Sequence, residues 1–202
     1  MQILHSQQEY HGAASVLALG TFDGVHVGHA ALIRRAREIA AHRGAQCVVC
    51  SFDRHPLCVL DPARAPRQLT STQEKCARLA RLGVDCVLLE PFTQALAAMP
   101  AREYLTNLTR AMRAVAVVVG QNHRFGHRGE GDARLTRELG RQLGFEAVIV
   151  PPVYDGGEMV SSTLIRALLA SGQEERARRL MRIEATPAEG QGLCPHQFSP
   201  RS

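Results

Sequence analysis

Two histidines three residues apart, His26 and His29, end the glycine-rich stretch GTFDGVHVGH, which begins at Gly20. An apolar run, AASVLAL, precedes this stretch, and a segment rich in helix formers, AALIRRAREIAA, follows it. The stretch is therefore predicted to form a turn between a strand and a helix. The free amides and the dipole of that helix favour a phosphate, and the two imidazoles add donors beside it. This spacing predicts a nucleotide site.

A second polar segment, VSSTLIR, ends at Arg166. Its serines and threonine fit either a helix cap or a phosphate contact, and the arginine one turn later favours phosphate. The chain has 24 lysines and arginines, a net charge of +5 and a single lysine, Lys75. This modest basic excess forms no basic run with interleaved aromatic residues, so we expect phosphorylated small molecules as ligands and no nucleic acid.

Strands and helices are predicted to alternate along the chain. Strands are expected at residues 13–19, 45–52, 84–89, 114–119 and 147–150. This order indicates an α/β fold, with about five strands in a parallel sheet and helices on both faces. Polar segments follow four of these strands, and the carboxyl ends of parallel strands share one edge of a sheet. The segments should therefore form one site.

The length and composition fit one globular domain, predicted at residues 1–182. Residues 183–202 are rich in proline and glycine without an apolar period, so a disordered tail is predicted there. No run is long and apolar enough for a membrane helix or a signal peptide, so we expect a cytoplasmic protein without a membrane partner.

The cysteines and three of the phenylalanines are predicted to have structural roles. Cys47 and Cys50 lie three apart in a predicted strand, so they point to opposite faces and cannot share a metal ion. We expect the six cysteines to be mostly buried thiols. Phe52, Phe92 and Phe145 are predicted to be core residues. The segment from Leu57 to Thr70 has two prolines and no periodicity, which predicts a loop.

Five segments in order resemble the adenylyltransferase module of prokaryotic FAD synthetases, the bifunctional riboflavin kinase/FMN adenylyltransferase family. They are GTFDGVHVGH, SFDRHP, KCARLARLGVD, GQNHRFG with GEGD, and VSSTLIRALLASG. The resemblance covers about residues 13–181 and implies a Rossmann-like nucleotidyltransferase fold. It also implies a reaction, in which the AMP moiety of Mg²⁺-bound ATP passes directly to FMN, giving FAD and pyrophosphate without a covalent enzyme intermediate.

The resemblance implies roles for particular side chains. The catalytic residues by this pattern are His26, His29, Asn122 and Arg166. The ATP-binding residues are Gly20, Phe22, Asp23, Gly28, Ser161, Ser162 and Thr163. The FMN-binding residues are His55, Pro56, Arg124 and Phe125. The metal ligands are unassigned, because no acidic residues have the spacing of a metal site.

The chain departs from the family pattern at Arg54, where a proline is usual, at His123, where an aromatic residue is usual, and at Leu164, often an arginine. Two alternatives therefore stay open: a nucleotidyltransferase with another phosphorylated acceptor, and a flavin or nucleotide sensor without catalysis. Family members usually continue into a riboflavin kinase domain. We therefore expect no phosphorylation of riboflavin by this chain, and a separate riboflavin kinase as a source of FMN.

Overall fold

The structure is a computed structural model that describes residues 1–183. The predicted tail, apart from its first residue, lies outside the described residues, and Cys194 lies there too. Among the described residues, no helix combines the length and apolar character that crossing a membrane requires.

Eight strands and eight helices make up the described chain. The strands are β1 (Gln2–Leu4), β2 (Ser15–Leu19), β3 (Gln46–Phe52), β4 (Cys86–Glu90), β5 (Ala114–Gly120), β6 (Glu146–Val150), β7 (Tyr154–Asp155) and β8 (Glu158–Met159). The helices are α1 (Val27–Arg43), α2 (Leu57–Leu60), α3 (Thr72–Arg81), α4 (Gln94–Ala98), α5 (Ala101–Ala111), α6 (Ala133–Leu143), α7 (Ser162–Ala170) and α8 (Glu174–Leu180). Short 3₁₀ turns lie at Gln7–Glu9, Pro62–Arg64 and His127–Gly129.

Six parallel strands form one sheet in the order β1-β4-β3-β2-β5-β6. The five predicted strands are all present, each within two residues of its predicted ends. The sixth strand, β1, was not predicted, because a three-residue edge strand is too short to show a period. The segment predicted as a loop after β3 contains α2 and a 3₁₀ turn.

The chain winds from β2 through β3 to β4 in one direction and then continues at β5 on the other side of β2. Ligands of open α/β sheets bind in the crevice where the winding direction reverses, at the carboxyl ends of the strands. In this protein that position is the gap between the ends of β2 and β5. The segments beginning at Gly20 and at Gly120 emerge there.

Both faces of the sheet are covered, as predicted. In β2, Val16 and Ala18 pack in the cluster that includes α1 and α3, whereas Leu17 and Leu19 pack with α5 and α6. This alternation follows from the period of two in a strand, and it lets a continuously apolar strand face helices on both sides. Cys47 and Cys50 likewise belong to opposite clusters.

A third, smaller cluster joins α7 to α8. Ile165 and Leu168 of α7 pack with Ala177 and Leu180 of α8, and the partly buried Leu69 lies against them. The cluster fixes α7 beside the start of α1, because Val27 also packs on it. The amino ends of α1 and α7 therefore approach the same crevice.

Substitution of Gly126 tests the close packing between this crevice and α5. Gly126 has a φ of +73°, and a Cβ there would lie 2.3 Å from Ala101 Cα. Gly44 has a φ of +58°, with nothing within 4 Å of its added Cβ. We expect Gly44→Ala to lower the free energy of unfolding by about 1 kcal/mol and Gly126→Ala by at least about 2 kcal/mol more, measured by urea unfolding. Equal losses would contradict this close contact.

Candidate functional site

The turn after β2 is held in a strained conformation. Phe22, Gly24 and Val25 have φ angles of 50°, 81° and 39°. Positive φ values in non-glycine residues cost of the order of 1–3 kcal/mol each, and they persist only where packing fixes the backbone. Phe22 and Val25 are fully buried, so the core supplies that packing. Such strain is typical of ligand-binding turns.

The two histidines lie at the amino end of α1, which begins at Val27, three residues before its predicted start. Nδ1 of His26 caps the helix by accepting the amide N–H of His29 at 3.4 Å. The two imidazole rings stack, with their centroids 3.7 Å apart. His29 also lies 4.9 Å from the ring of Phe22. Phe22, predicted to bind ATP, is fully buried with its ring against His29, and it is not among the residues that line the polar cavity described below.

Both imidazoles are neutral at physiological pH. Burial lowers the pKa of His26 to about 4, although the nearby Asp23 carboxylate opposes the shift. Burial and the neighbouring His26 hold the pKa of His29 well below its ordinary value. Because Nδ1 of His26 accepts a hydrogen bond, its proton lies on Nε2. Nδ1 of His29 is buried without a partner among the described residues. The rings therefore act as polar hydrogen-bonding groups rather than as fixed charges.

Asp23 connects the turn to two distant segments. Its Oδ1 accepts the backbone N–H groups of Leu69, at 3.0 Å, and Thr70, at 3.3 Å. Its Oδ2 pairs with the Nη2 of Arg166, and Ser162 Oγ donates to its carbonyl oxygen at 2.9 Å. The Asp23 side chain is 10% exposed, so this ion pair is largely shielded from water. Through its side chain and its backbone carbonyl, Asp23 thus joins the turn, the loop before α3 and α7.

Lys75 is a structural residue to which the sequence pattern assigned no role at the site. Its Nζ donates to the carbonyl oxygen of Phe52 at 2.8 Å, to Ser51 Oγ at 3.3 Å and to the carbonyl oxygen of Thr21 at 3.4 Å. Burial lowers the pKa of this ammonium group. The lysine joins the ends of β2 and β3. The sequence feature that could have indicated this role is that Lys75 is the single lysine in a chain whose other basic side chains of this type are arginines.

A polar cavity of about 370 Å³ opens above the amino ends of α1 and α7. The predicted catalytic residues all line it: His26, His29, Asn122 and Arg166. The predicted ATP-binding residues other than Phe22 line it as well: Gly20, Asp23, Gly28, Ser161, Ser162 and Thr163. Ser161 caps α7 by accepting the N–H of Leu164 at 3.1 Å. His55, assigned to FMN, lines this polar cavity and not the apolar one described next.

An apolar cavity of about 490 Å³ lies beside the polar one. Of the predicted FMN-binding residues, Pro56, Arg124 and Phe125 line it. Phe52 and Phe92 also line it, with their rings edge to face and 4.9 Å apart. Their placement in the core is therefore corrected, because both are only half-buried and form a cavity wall. An aromatic residue at a strand's carboxyl end, such as Phe52, was the available sequence signal.

The two cavities share part of their lining. The common residues are Leu19, Gly20, Thr21 and His123. A ligand with a flat apolar part and an anionic part can therefore occupy both cavities across this shared wall. Asn122 lies on the polar side, with its Nδ2 3.1 Å from Met159 Sδ.

The fold and the site together define a Rossmann-like protein of the nucleotidyltransferase type: a turn with glycines and histidines lies at the reversal point of a parallel sheet and faces a second helix N-terminus. Comparison with known families makes the assignment specific. A sequence model of the FAD synthetase family matches residues 8–164. The chain belongs to the FAD synthetase family.

Relatives with curated names agree with this assignment. The chain is 36% identical over 169 residues to a bifunctional riboflavin kinase/FMN adenylyltransferase of Listeria monocytogenes, which covers 82% of this chain and 53% of the relative. A putative enzyme of the same name from Geobacillus thermodenitrificans is 35% identical over 182 residues, covering 90% of this chain and 97% of the relative. The chain spans about half the length of the first curated relatives.

A solved structure supports the fold. The crystal structure described as a macrolide-efflux protein from Streptococcus pneumoniae has a TM-score of 0.79 and 30% sequence identity. The similarity covers 89% of this chain and 59% of the other. The α/β architecture around the site is therefore shared with an experimentally determined protein.

The buried, neutral state of His26 predicts a pH dependence of stability. Its pKa is about 4 in the folded protein and 6.5 as an ordinary histidine, so the unfolded chain takes up the proton first as the pH falls. The stability due to neutral His26 is present above pH 6.5 and is lost as the pH falls towards 4. From this residue alone, we expect the free energy of unfolding to drop by about 2 kcal/mol between pH 7 and pH 5.

The matched control is His26→Asn, which keeps an N-cap acceptor but has no titrating group. Urea unfolding at both pH values should show a smaller loss in the variant, by about 2 kcal/mol. The same loss in both proteins would contradict a buried neutral His26.

Proposed function

We propose that this protein transfers the AMP moiety of ATP to FMN, giving FAD and pyrophosphate. The observation that carries the proposal is the pair of adjoining cavities, one polar at two helix N-termini and one apolar with aromatic walls. Their volumes lie within the range of roughly 300–1,000 Å³ typical of small-molecule sites. The names of the curated relatives support the same activity.

ATP occupies the polar cavity in this proposal. Its phosphates lie against the amino ends of α1 and α7, where free amides and helix dipoles favour negative charge. His26 and His29 donate to phosphate oxygens, and Asn122 orients the reacting phosphates. Arg166, held by Asp23 and by the carbonyl oxygen of Arg67 at 2.8 Å, stabilises the pyrophosphate that leaves.

FMN places its isoalloxazine in the apolar cavity. Phe52, Phe92 and Phe125 offer flat apolar surfaces for it. The phosphate of FMN then reaches past Gly20, one of the residues common to both cavities, into the polar cavity. An oxygen of this phosphate attacks the α-phosphorus of ATP in line, and the bond to the β-phosphate oxygen breaks. A phosphate monoester is already ionised at neutral pH, so this attack needs no protein base.

Mg²⁺ enters with ATP as the counterion of its phosphates. The described residues contain no group of three or more histidines, cysteines or carboxylates placed to hold a metal ion. Asp23, the acidic residue of the turn that lines the polar cavity, is engaged by Arg166. We therefore assign no protein ligand to the ion. The FMN itself comes from a riboflavin kinase activity, which the relatives' names join to the same chain.

The direct test is to incubate the purified protein with Mg-ATP and one acceptor at a time, and to separate the products by chromatography. We expect FAD and pyrophosphate from FMN and no adenylylated product from riboflavin, because riboflavin lacks the attacking phosphate. Pantetheine phosphate, nicotinamide mononucleotide and glycerol phosphate serve as competing acceptors. Turnover of one of these instead of FMN would identify another nucleotidyltransferase, and tight flavin binding without any product would identify a sensor.

Two substitutions test the assigned roles. We expect His29→Ala and Arg166→Ala each to slow FAD formation by roughly 10²-fold or more, as for the loss of a donor that stabilises charge in the transition state. His42→Ala, on the exposed last turn of α1, is the matched control and should retain wild-type turnover. The rates are measured at saturating ATP and FMN, after thermal unfolding confirms that each variant is folded. Wild-type rates in both site variants would contradict the roles assigned to His29 and Arg166.

A further inference from the structure

His123 occupies the boundary between the two cavities. It follows β5 and is one of the residues that line both the polar and the apolar cavity. Of the shared residues, only His123 and Thr21 have polar side chains, since the others are a leucine and a glycine. Any acceptor that extends from one cavity into the other must therefore pass this imidazole.

The ring of His123 is held in place but keeps its hydrogen-bonding capacity. It stacks on Phe125, with ring centroids 5.8 Å apart and an angle of 18° between the planes. Its backbone N–H donates to the carbonyl oxygen of Gly120 at 3.0 Å, which fixes the turn after β5. Burial alone lowers the pKa of the imidazole to about 4, with no contribution from a hydrogen bond of another described residue.

A neutral imidazole has one N–H donor and one acceptor nitrogen. A hydroxyl group also both donates and accepts, whereas an ionised phosphate only accepts. The hydrogen-bonding pattern of His123 therefore matches hydroxyls better than phosphate. In FMN, the part that joins the flat ring to the phosphate is a chain of hydroxylated carbons, and this part would lie at the shared wall.

We infer that His123 is a specificity-determining residue that hydrogen-bonds the hydroxylated chain of the flavin acceptor where it crosses between the two cavities. The inference rests on the proposed function, because it takes FMN as the occupant of both cavities. By this contact, His123 favours binding of an acceptor whose ring and phosphate are joined by a polyol over one in which they are joined by a plain alkyl chain. A phenylalanine at position 123 would keep the stacking on Phe125 and would lose the preference for the polyol-linked acceptor.

The test compares two ligands and two variants by flavin fluorescence titration, which needs no turnover. The ligands are FMN and a synthetic flavin phosphate with an unsubstituted pentyl linker. We expect His123→Phe to weaken FMN binding by roughly 3- to 10-fold and to leave the pentyl analogue unweakened, since one neutral hydrogen bond is lost. His123→Asn, which offers a donor and an acceptor, should recover at least part of the FMN affinity. In turnover assays, KM for FMN should rise with kcat unchanged.

The matched control is His127→Phe. His127 lines only the apolar cavity, and its Nδ1 lies 3.2 Å from the carbonyl oxygen of Ala97. This variant should change the affinity of both flavins by the same factor.

The outcomes separate the two claims. Equal weakening of FMN and the pentyl analogue by His123→Phe overturns the role of His123 and leaves the proposed function intact. The expected selectivity without FAD formation by the wild-type protein supports His123 and overturns the proposed catalysis. Failure of the wild-type protein to bind FMN overturns both.

Discussion

The carboxylate of Asp23 is the constraint on which the site depends. It accepts two backbone N–H groups from the loop before α3 and pairs with Arg166 of α7, while its backbone carbonyl accepts Ser162 Oγ. These contacts join segments separated by as many as 143 residues. Removing one partner of such a shielded pair leaves an uncompensated charge, which is strongly destabilising. The two helix N-termini that face the polar cavity are therefore held in one fixed relation.

Desolvation determines the chemistry available in that cavity. The stacked His26 and His29 remain neutral because burial opposes their protonation, and the buried Lys75 is held by oxygen acceptors rather than by a carboxylate. Apart from the pair of Arg166 with Asp23, the lining of the cavity therefore offers polar hydrogen-bonding groups rather than fixed charges. The strained turn at Phe22 and Val25 keeps these groups in position before a ligand arrives, which lowers the cost of organising the site.

The reversal of the sheet between β2 and β5 explains why two unlike cavities adjoin. The segment after β2 has glycines and histidines, whereas the ends of β3 and β4 bring Phe52 and Phe92 together. Because all these strands are parallel, their carboxyl ends lie at one edge, and the segment at His123 separates the polar side from the apolar side. The topology therefore places an apolar cavity and a polar cavity next to each other.

The sequence by itself determined the α/β class, five of the six strands of the main sheet and the polar residues of the turn, because alternation, glycine spacing and capping residues are local signals. The tertiary structure decided what those residues do. In the folded protein, Asp23 joins three segments, and the ring of Phe22 is buried against His29. Phe52 and Phe92, predicted to be core residues, line a cavity wall instead. The tertiary structure also placed His55 on the polar side. These outcomes depend on which distant segments meet, and contacts between residues far apart in the chain leave no period in the sequence.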